Sequence, residues 1–295
     1  MRLKICLVFA TLGLGARWIQ AAPAPPPFAA TEASLPQPDD AREYEAQLVE
    51  AKGDVTVYTA EEPEGGPAER GMPLEAGDRI KTGAGSSAEI GFSSEHFLHL
   101  HSNSEFTLGS LQRADCELKL SLGGVLAKIQ ALAGERLSIR SPGAVASVRG
   151  TEFAVEIAAG NSGETHVGVF DEGLVEVRGD SGPAELLKAS EETRVLRGGR
   201  PQAPYQLRRF VRDRQFMRGW GRRLSALRKN WRALPVEKRR ELRQGWRRRA
   251  AQSREQVKQR RQRAAKPAPA GLRQDQKKMQ ERKNAIRERL RRRQP

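Results

Sequence analysis

The chain has 295 residues, room for one or two domains, and only 38% of them are hydrophobic while 30% are charged, which excludes a chain that is evenly globular throughout. Its net charge of +16 is split: Tyr205–Pro295 holds 33 basic and 7 acidic residues, a net of +26, and residues 1–204 carry a net of −10. No stretch beyond the N-terminus approaches about 20 apolar residues, so no transmembrane span is expected in the mature chain.

Residues 1–21 have the order of a secretory signal. Arg2 and Lys4 are the positive start, Ile5–Gly15 is an apolar run of 11 residues, and Ile19 and Ala21 place the cut before Ala22. Cys6 lies inside this leader, so Cys116 is alone in the mature chain and no intrachain disulfide is expected. Residues 22–46 read as a Pro/Ala-rich linker, because Pro23, Pro25, Pro26, Pro27, Pro36 and Pro38 remove backbone donors and favour an extended chain.

From residue 47 to 197 the apolar residues alternate. Val55 and Val57, then Ala88, Ile90 and Phe92, then Leu98 and Leu100, then Cys116, Leu118 and Leu120, then Phe153, Val155 and Ile157 each share a face. Period two means strands with one buried side, and their rhythm between Gly, Asp and Ser turns predicts about ten strands in a compact all-β domain, solenoid-like or sandwich. Pro63, Gly65, Gly66 and Pro67 read as a turn.

Residues 198–295 form a basic helical tail, expected to be partly disordered. Leu207, Phe210, Met217, Trp220, Leu224, Leu227, Trp231 and Leu234 recur mainly at three and four residues, a narrow helical stripe that Leu234-Pro235 interrupts. Pro235 suits the start of a second helix, which weakens towards Ala265; a last thin helix runs from Leu272 to Arg292. Arg247, Arg248, Arg249, Arg260 and Arg261 are the candidate polyanion contacts, since guanidinium forks suit phosphate, sulfate and carboxylate. The leader makes an anionic envelope surface or an acidic protein the expected partner, in preference to nucleic acid. The acidic front of this chain, in cis or in another copy, is one such partner.

No catalytic, cofactor-binding or metal-binding residues are assigned, and no cofactor is expected. His99 and His101 share a strand face while His96 points the other way, and two histidines do not close a zinc site. Cys116 falls on an apolar face, where a thiol is inert. Glu61-Glu62 and Glu191-Glu192 read as solvated loop charges. No nucleophile elbow, zinc-protease helix or phosphate loop is present.

One stretch names a family. Residues 138–157, with Arg149-Gly150-Thr151 and Phe153, resemble the signature of the FecR-type periplasmic domain. Gly77-Asp78 through Thr82 is similar to that family's Gly-Asp-x-Ile-x-Thr element, residues 165–177 around Gly173 to its closing strand pair, and residues 53–57 to its first strand. The resemblance spans about residues 47–180 and implies a periplasmic or secreted, Gram-negative type location. It departs at Ser94-Glu95-His96, where the family often has an Asp-Gly-Ser turn, and at the N-terminus, where a leader and linker stand in place of a cytoplasmic anti-sigma segment and membrane helix. Gly77, Asp78, Thr82, Arg149, Gly150, Thr151, Phe153 and Gly173 are expected to form the fold. The functional expectation is a non-enzymatic envelope protein that binds or scaffolds a protein or glycan through its β domain and an anionic surface through its tail. The alternative is an accessory sensor that modulates a separate membrane-bound signalling or transport system.

Overall fold

The computed structural model describes residues 42–130, 134–160, 163–265 and 278–287. The expected leader and residues 22–41 of the linker lie outside these, as do both ends of the last expected helix. The first strands are β1 (Ala46–Lys52), β2 (Val55–Thr59), β3 (Glu62–Pro67), β4 (Pro73–Leu74), β5 (Arg79–Thr82) and β6 (Ser87–Phe92). Next come β7 (His96–Leu100), β8 (Glu105–Ser110), β9 (Cys116–Leu122), β10 (Gly124–Ile129), β11 (Leu137–Arg140) and β12 (Val145–Val148). The last are β13 (Thr151–Ile157), β14 (Thr165–Val169), β15 (Val175–Arg178), β16 (Glu185–Leu187), β17 (Glu191–Val195) and β18 (Tyr205–Gln206). Helices α1 (Val211–Asn230) and α2 (Val236–Ala265) follow, and residues 278–287 are helical.

The fold is mainly β. A first sheet runs β4-β1-β6-β7-β10-β13-β14-β17-β18 and a second β3-β2-β5-β8-β9-β11-β12-β15-β16; neither closes into a barrel. Both sheets grow almost in chain order, and the chain changes sheet after every one or two strands. The result has the two layers of a sandwich and the stepwise winding of a solenoid. The core between the layers holds Leu48, Ile90, Leu98, Val125 and Phe153 from the first sheet and Val57, Ile80, Leu118, Ile139 and Val177 from the second.

The two sheets differ in what covers their outer faces. In the second, β2 and β9 bury Val55, Val57, Cys116 and Leu118 and turn Thr56, Glu117 and Lys119 outward, the alternation expected of a half-solvated sheet. In the first, β6, β13 and β14 are buried almost throughout, because α1 lies on the outer face. Met217, Trp220 and Leu224 of α1 pack with Phe97, Leu126, Ala154 and Phe170 in a second apolar cluster. Helix α2 instead covers edge strands β3 and β4, and Trp246 and Ala250 join the core between the layers. Covering an open edge removes a site for strand addition.

The number of strands differs from the sequence expectation. Among the described residues 18 strands form, against about ten expected from alternation. The stretch Pro63–Pro67, expected as a turn, lies in β3, which pairs only with β2. An edge strand has a free side on which proline loses no ladder bond. A Cβ on Gly66 would stand 2.4 Å from Ala250 Cβ, so the glycine marks where α2 lies against the strand.

Candidate functional site: the signature cleft and the docked tail

The turn before β13 and the turn before β15 meet. Thr151 Oγ1 donates to the Glu172 carbonyl, and the Phe170 N–H donates to the Glu152 carbonyl at 2.9 Å. Gly173 has φ +96°, and a Cβ there would lie 2.3 Å from Thr151 Cβ. Beside this contact is an open cleft of about 400 Å³ lined by Gly150, Thr151, Glu152, Gly173, Lys128 and Arg228, among others. Lys128 pairs with Glu152. Arg228 comes from α1, lies over the Phe97 ring at 5.9 Å and has a buried Nε without a hydrogen-bond partner among the described residues. With one ion pair, one further acid at Glu172 and one arginine, the cleft suits a small polar group or a peptide turn; it sets no nucleophile beside a base. Of the other signature residues, Phe153 is in the core and Arg149 is exposed on its bend. Thr82 ties β5 to the turn after β7: its hydroxyl donates to the His101 carbonyl at 2.6 Å and accepts the Ser104 N–H at 2.9 Å.

Gly77-Asp78 makes the second site. The Asp78 carboxylate accepts the Glu75 N–H at 2.9 Å, a local turn bond. It also receives Arg243 of α2, at 2.6 Å to Oδ2 and 3.2 Å to Oδ1. Arg243 further meets Glu61 at 3.2 Å and Glu75 at 3.3 Å. Burial raises the Asp78 carboxyl above its ordinary value, and the guanidinium and the Glu75 amide oppose that rise. Burial works against charge on Arg243 too, but Asp78, Glu75 and Glu61 outweigh it and hold its value above normal. Arg243 was not a candidate in the sequence. Its signal was position: Arg243, Trp246 and Ala250 share one helical face, and all three are buried.

The same pattern covers the rest of the docked tail. Arg223 pairs with Glu50 and Glu89, Arg214 and Arg218 with Asp171, and Arg209 with Glu156. Arg254 reaches Glu62 at 2.8 Å and Glu64 at 2.9 Å. The two guanidinium groups beside Asp171 hold its carboxyl down at about 2. Of the acids expected as solvated charges, Glu61 is exposed, while Glu62 and Glu192 are corrections: Glu62 meets Arg254, and Glu192 is 3% exposed and accepts the backbone N–H of Arg208 and of Arg209, each at 3.0 Å. Two strand glycines complete the seat. A Cβ on Gly91 would stand 2.5 Å from the Trp231 ring and one on Gly168 2.5 Å from the Phe210 ring. A glycine between apolar strand residues signals such an approach. Of the candidate polyanion contacts, Arg249 is engaged with Glu69, at 2.9 Å from Nε, while Arg247, Arg248, Arg260 and Arg261 are exposed.

No group of three or more metal-ligating side chains forms among the described residues. His99 lies 3.7 Å from Glu89 and His101 3.5 Å from Asp213 of α1. Cys116 is buried, and burial, with Asp115 and Glu135 adding to it, pushes its thiol up to about 12. His96 is 1% exposed, and its Nδ1 accepts the Gln130 N–H at 3.2 Å. Burial lowers its pKa to about 4. The unfolded chain therefore takes up this proton near pH 6.5 and the folded chain only near 4. The corresponding stability is full above the first value and is lost as pH falls towards the second, by about 3 kcal/mol. His96→Gln keeps an acceptor and cannot charge. Urea melts between pH 7.5 and 4 should show a smaller acid loss in the variant than in the native chain; parallel losses would remove His96 as the cause.

Residues 78–176 match the FecR protein family. No curated protein matches the chain significantly. Two crystal structures of a candidate anti-sigma factor from Parabacteroides distasonis are similar to it, each with a TM-score of 0.40, at 16% and 17% identity and over 46% and 48% of this chain. The chain spans 62% and 63% of those structures' length. No helix among the described residues is long and apolar enough to cross a membrane.

Proposed function

The chain carries a FecR-type domain, and from that premise we propose that it is an exported, non-enzymatic accessory that modulates a separate membrane-bound signalling system in the cell envelope. The family match over residues 78–176 carries the reading. The signal-like leader supports export. The surfaces offered to a partner are the solvated outer face of the second sheet and the signature cleft, where turns from both layers meet. In the tail up to Arg254, Arg209, Arg214, Arg218, Arg223, Arg243, Arg249 and Arg254 pair with acids of the chain's own β domain, so this part serves that domain before it serves any other partner. The broader reading, a binding or scaffolding protein for an envelope protein or glycan, uses the same surfaces without the signalling output.

Deletion in the native host, followed by transcript profiling, tests the signalling role. A discrete set of transcripts should shift and return on complementation with the exported chain. An unchanged profile under envelope stress and nutrient limitation would remove the signalling role and leave the scaffold.

A further inference from the structure

The docked face of α2 runs off the edge of the sheets at Arg254. Up to that point the face holds Arg243, Trp246, Ala250 and Arg254, each against β3, β4 or their acids. Beyond it, residues 255–262 are all exposed, and the same helical face continues with Val257, Lys258 and Arg261. Residues 278–287 repeat the arrangement: Met279 and Ile286, seven apart and 61% and 59% exposed, share a face with Arg282 and Lys283 between them. The sequence from Glu255 to Pro295 holds 15 basic and 4 acidic residues, a net of +11.

We infer that residues 255–262 and 278–287 are surface-binding segments whose partner is an anionic phospholipid bilayer. Charge complementarity requires a dense anionic surface. Isolated exposed apolar residues flanked by lysine and arginine suit the headgroup boundary, where methyl groups sink a little and cations stay wet. Nucleic acid fits less well, because residues 255–295 contain no Phe, Tyr or Trp on which a base could stack. The docked part of α2 then fixes the β domain close to the membrane. This inference stands independently of the signalling role.

Vesicle sedimentation tests it with the mature full-length chain, a chain ending at Arg254, and a full-length variant carrying Lys258→Gln, Arg260→Gln, Arg261→Gln, Arg282→Gln, Lys283→Gln and Arg287→Gln. The truncation leaves every docked contact of α2 in place, so an unchanged melting temperature shows that the domain is intact. Vesicles of phosphatidylcholine with one-third phosphatidylglycerol should capture the full chain, and both altered chains should bind about tenfold more weakly or worse. Capture should fail on phosphatidylcholine alone and fade between about 0.1 M and about 1 M salt. Equal binding by the truncated chain, binding indifferent to salt, or a full chain that ignores anionic vesicles yet retards duplex DNA would each overturn it.

Discussion

Arg243→Ala should release α2 from the β domain while the two sheets stay folded. Arg243 is 6% exposed and Asp78 1%, and the guanidinium stands among the carboxylates of Asp78, Glu61 and Glu75. Removing one partner of a buried ion pair and keeping the other buried costs about 3–5 kcal/mol. The burial of Trp246, by comparison, contributes about 2–3 kcal/mol. Its Nε1–H bond to the Pro67 carbonyl, 2.8 Å long, adds about 1 kcal/mol. The exposed pair of Arg249 adds little, as surface ion pairs do, and the half-buried Arg254, held by Glu62 and the Gly65 carbonyl, adds about 1 kcal/mol. The loss is therefore comparable with what holds α2, and undocking the helix returns the buried Asp78 carboxylate to water. Limited proteolysis should cut the variant between residues 236 and 254, and amide exchange there should lose its protection while β7, β10 and β13 keep theirs. Arg243→Lys retains the charge but loses the two-point fork on Asp78, so it should fall between native and alanine. Native-like protection of α2 in Arg243→Ala would show that the apolar contacts hold the helix without the ion pair.

Gly173→Ala should destabilise the β domain itself by about 3 kcal/mol or more, through two separable causes. The first is conformation: at φ +96° a side chain costs about 1–2 kcal/mol. The second is space. The new Cβ would lie 2.3 Å from Thr151 Cβ and 2.6 Å from the Gly150 carbonyl oxygen. Thr151 cannot yield easily, because its hydroxyl is bonded to Glu172 and its backbone is paired in β13. Overpacking of that kind costs about 1–3 kcal/mol. Gly71 isolates the first cause, since it has φ +79° with nothing within 4 Å of its Cβ position. Gly71→Ala should cost about 1 kcal/mol in urea melts, and the difference between the two variants measures the clash. Equal losses would mean that the signature turn opens to accept a methyl group, and that the cleft beside it is adaptable.

Gly173 belongs to the stretch that resembles the FecR signature, and Arg243 meets that stretch through Asp78. Gly173 and Thr151 are matters of backbone shape, legible once an Arg-Gly-Thr-x-Phe strand and a later glycine turn were seen in order. Asp78 was legible as a turn residue, and its bond to the Glu75 amide is that turn. Its second partner lies 165 residues further along the chain, and no local pattern announces it. The acids at 61–62 and 191–192 illustrate the same gap. In sequence they stand among turn-formers and look solvated; in the fold Glu61, Glu62 and Glu192 are counter-charges for arginines and backbone amides of the returning tail.

The sequence by itself determined the β character of residues 47–197, the helical tail with its break at Pro235, the resemblance of part of the chain to FecR-type domains, and the division of charge. These follow from short-range chemistry: period two, period 3.6, proline geometry and composition act within a few residues. Only the tertiary structure decided that the tail folds back onto its own domain, with α1 on the outer face of the first sheet and α2 across the edge at β3 and β4. Alternation reports which residues share a face, not what covers the other face. The cover here comes from segments far outside the span of any local pattern, and glycines at 66, 91 and 168 acquire meaning only when Ala250, Trp231 and Phe210 arrive above them.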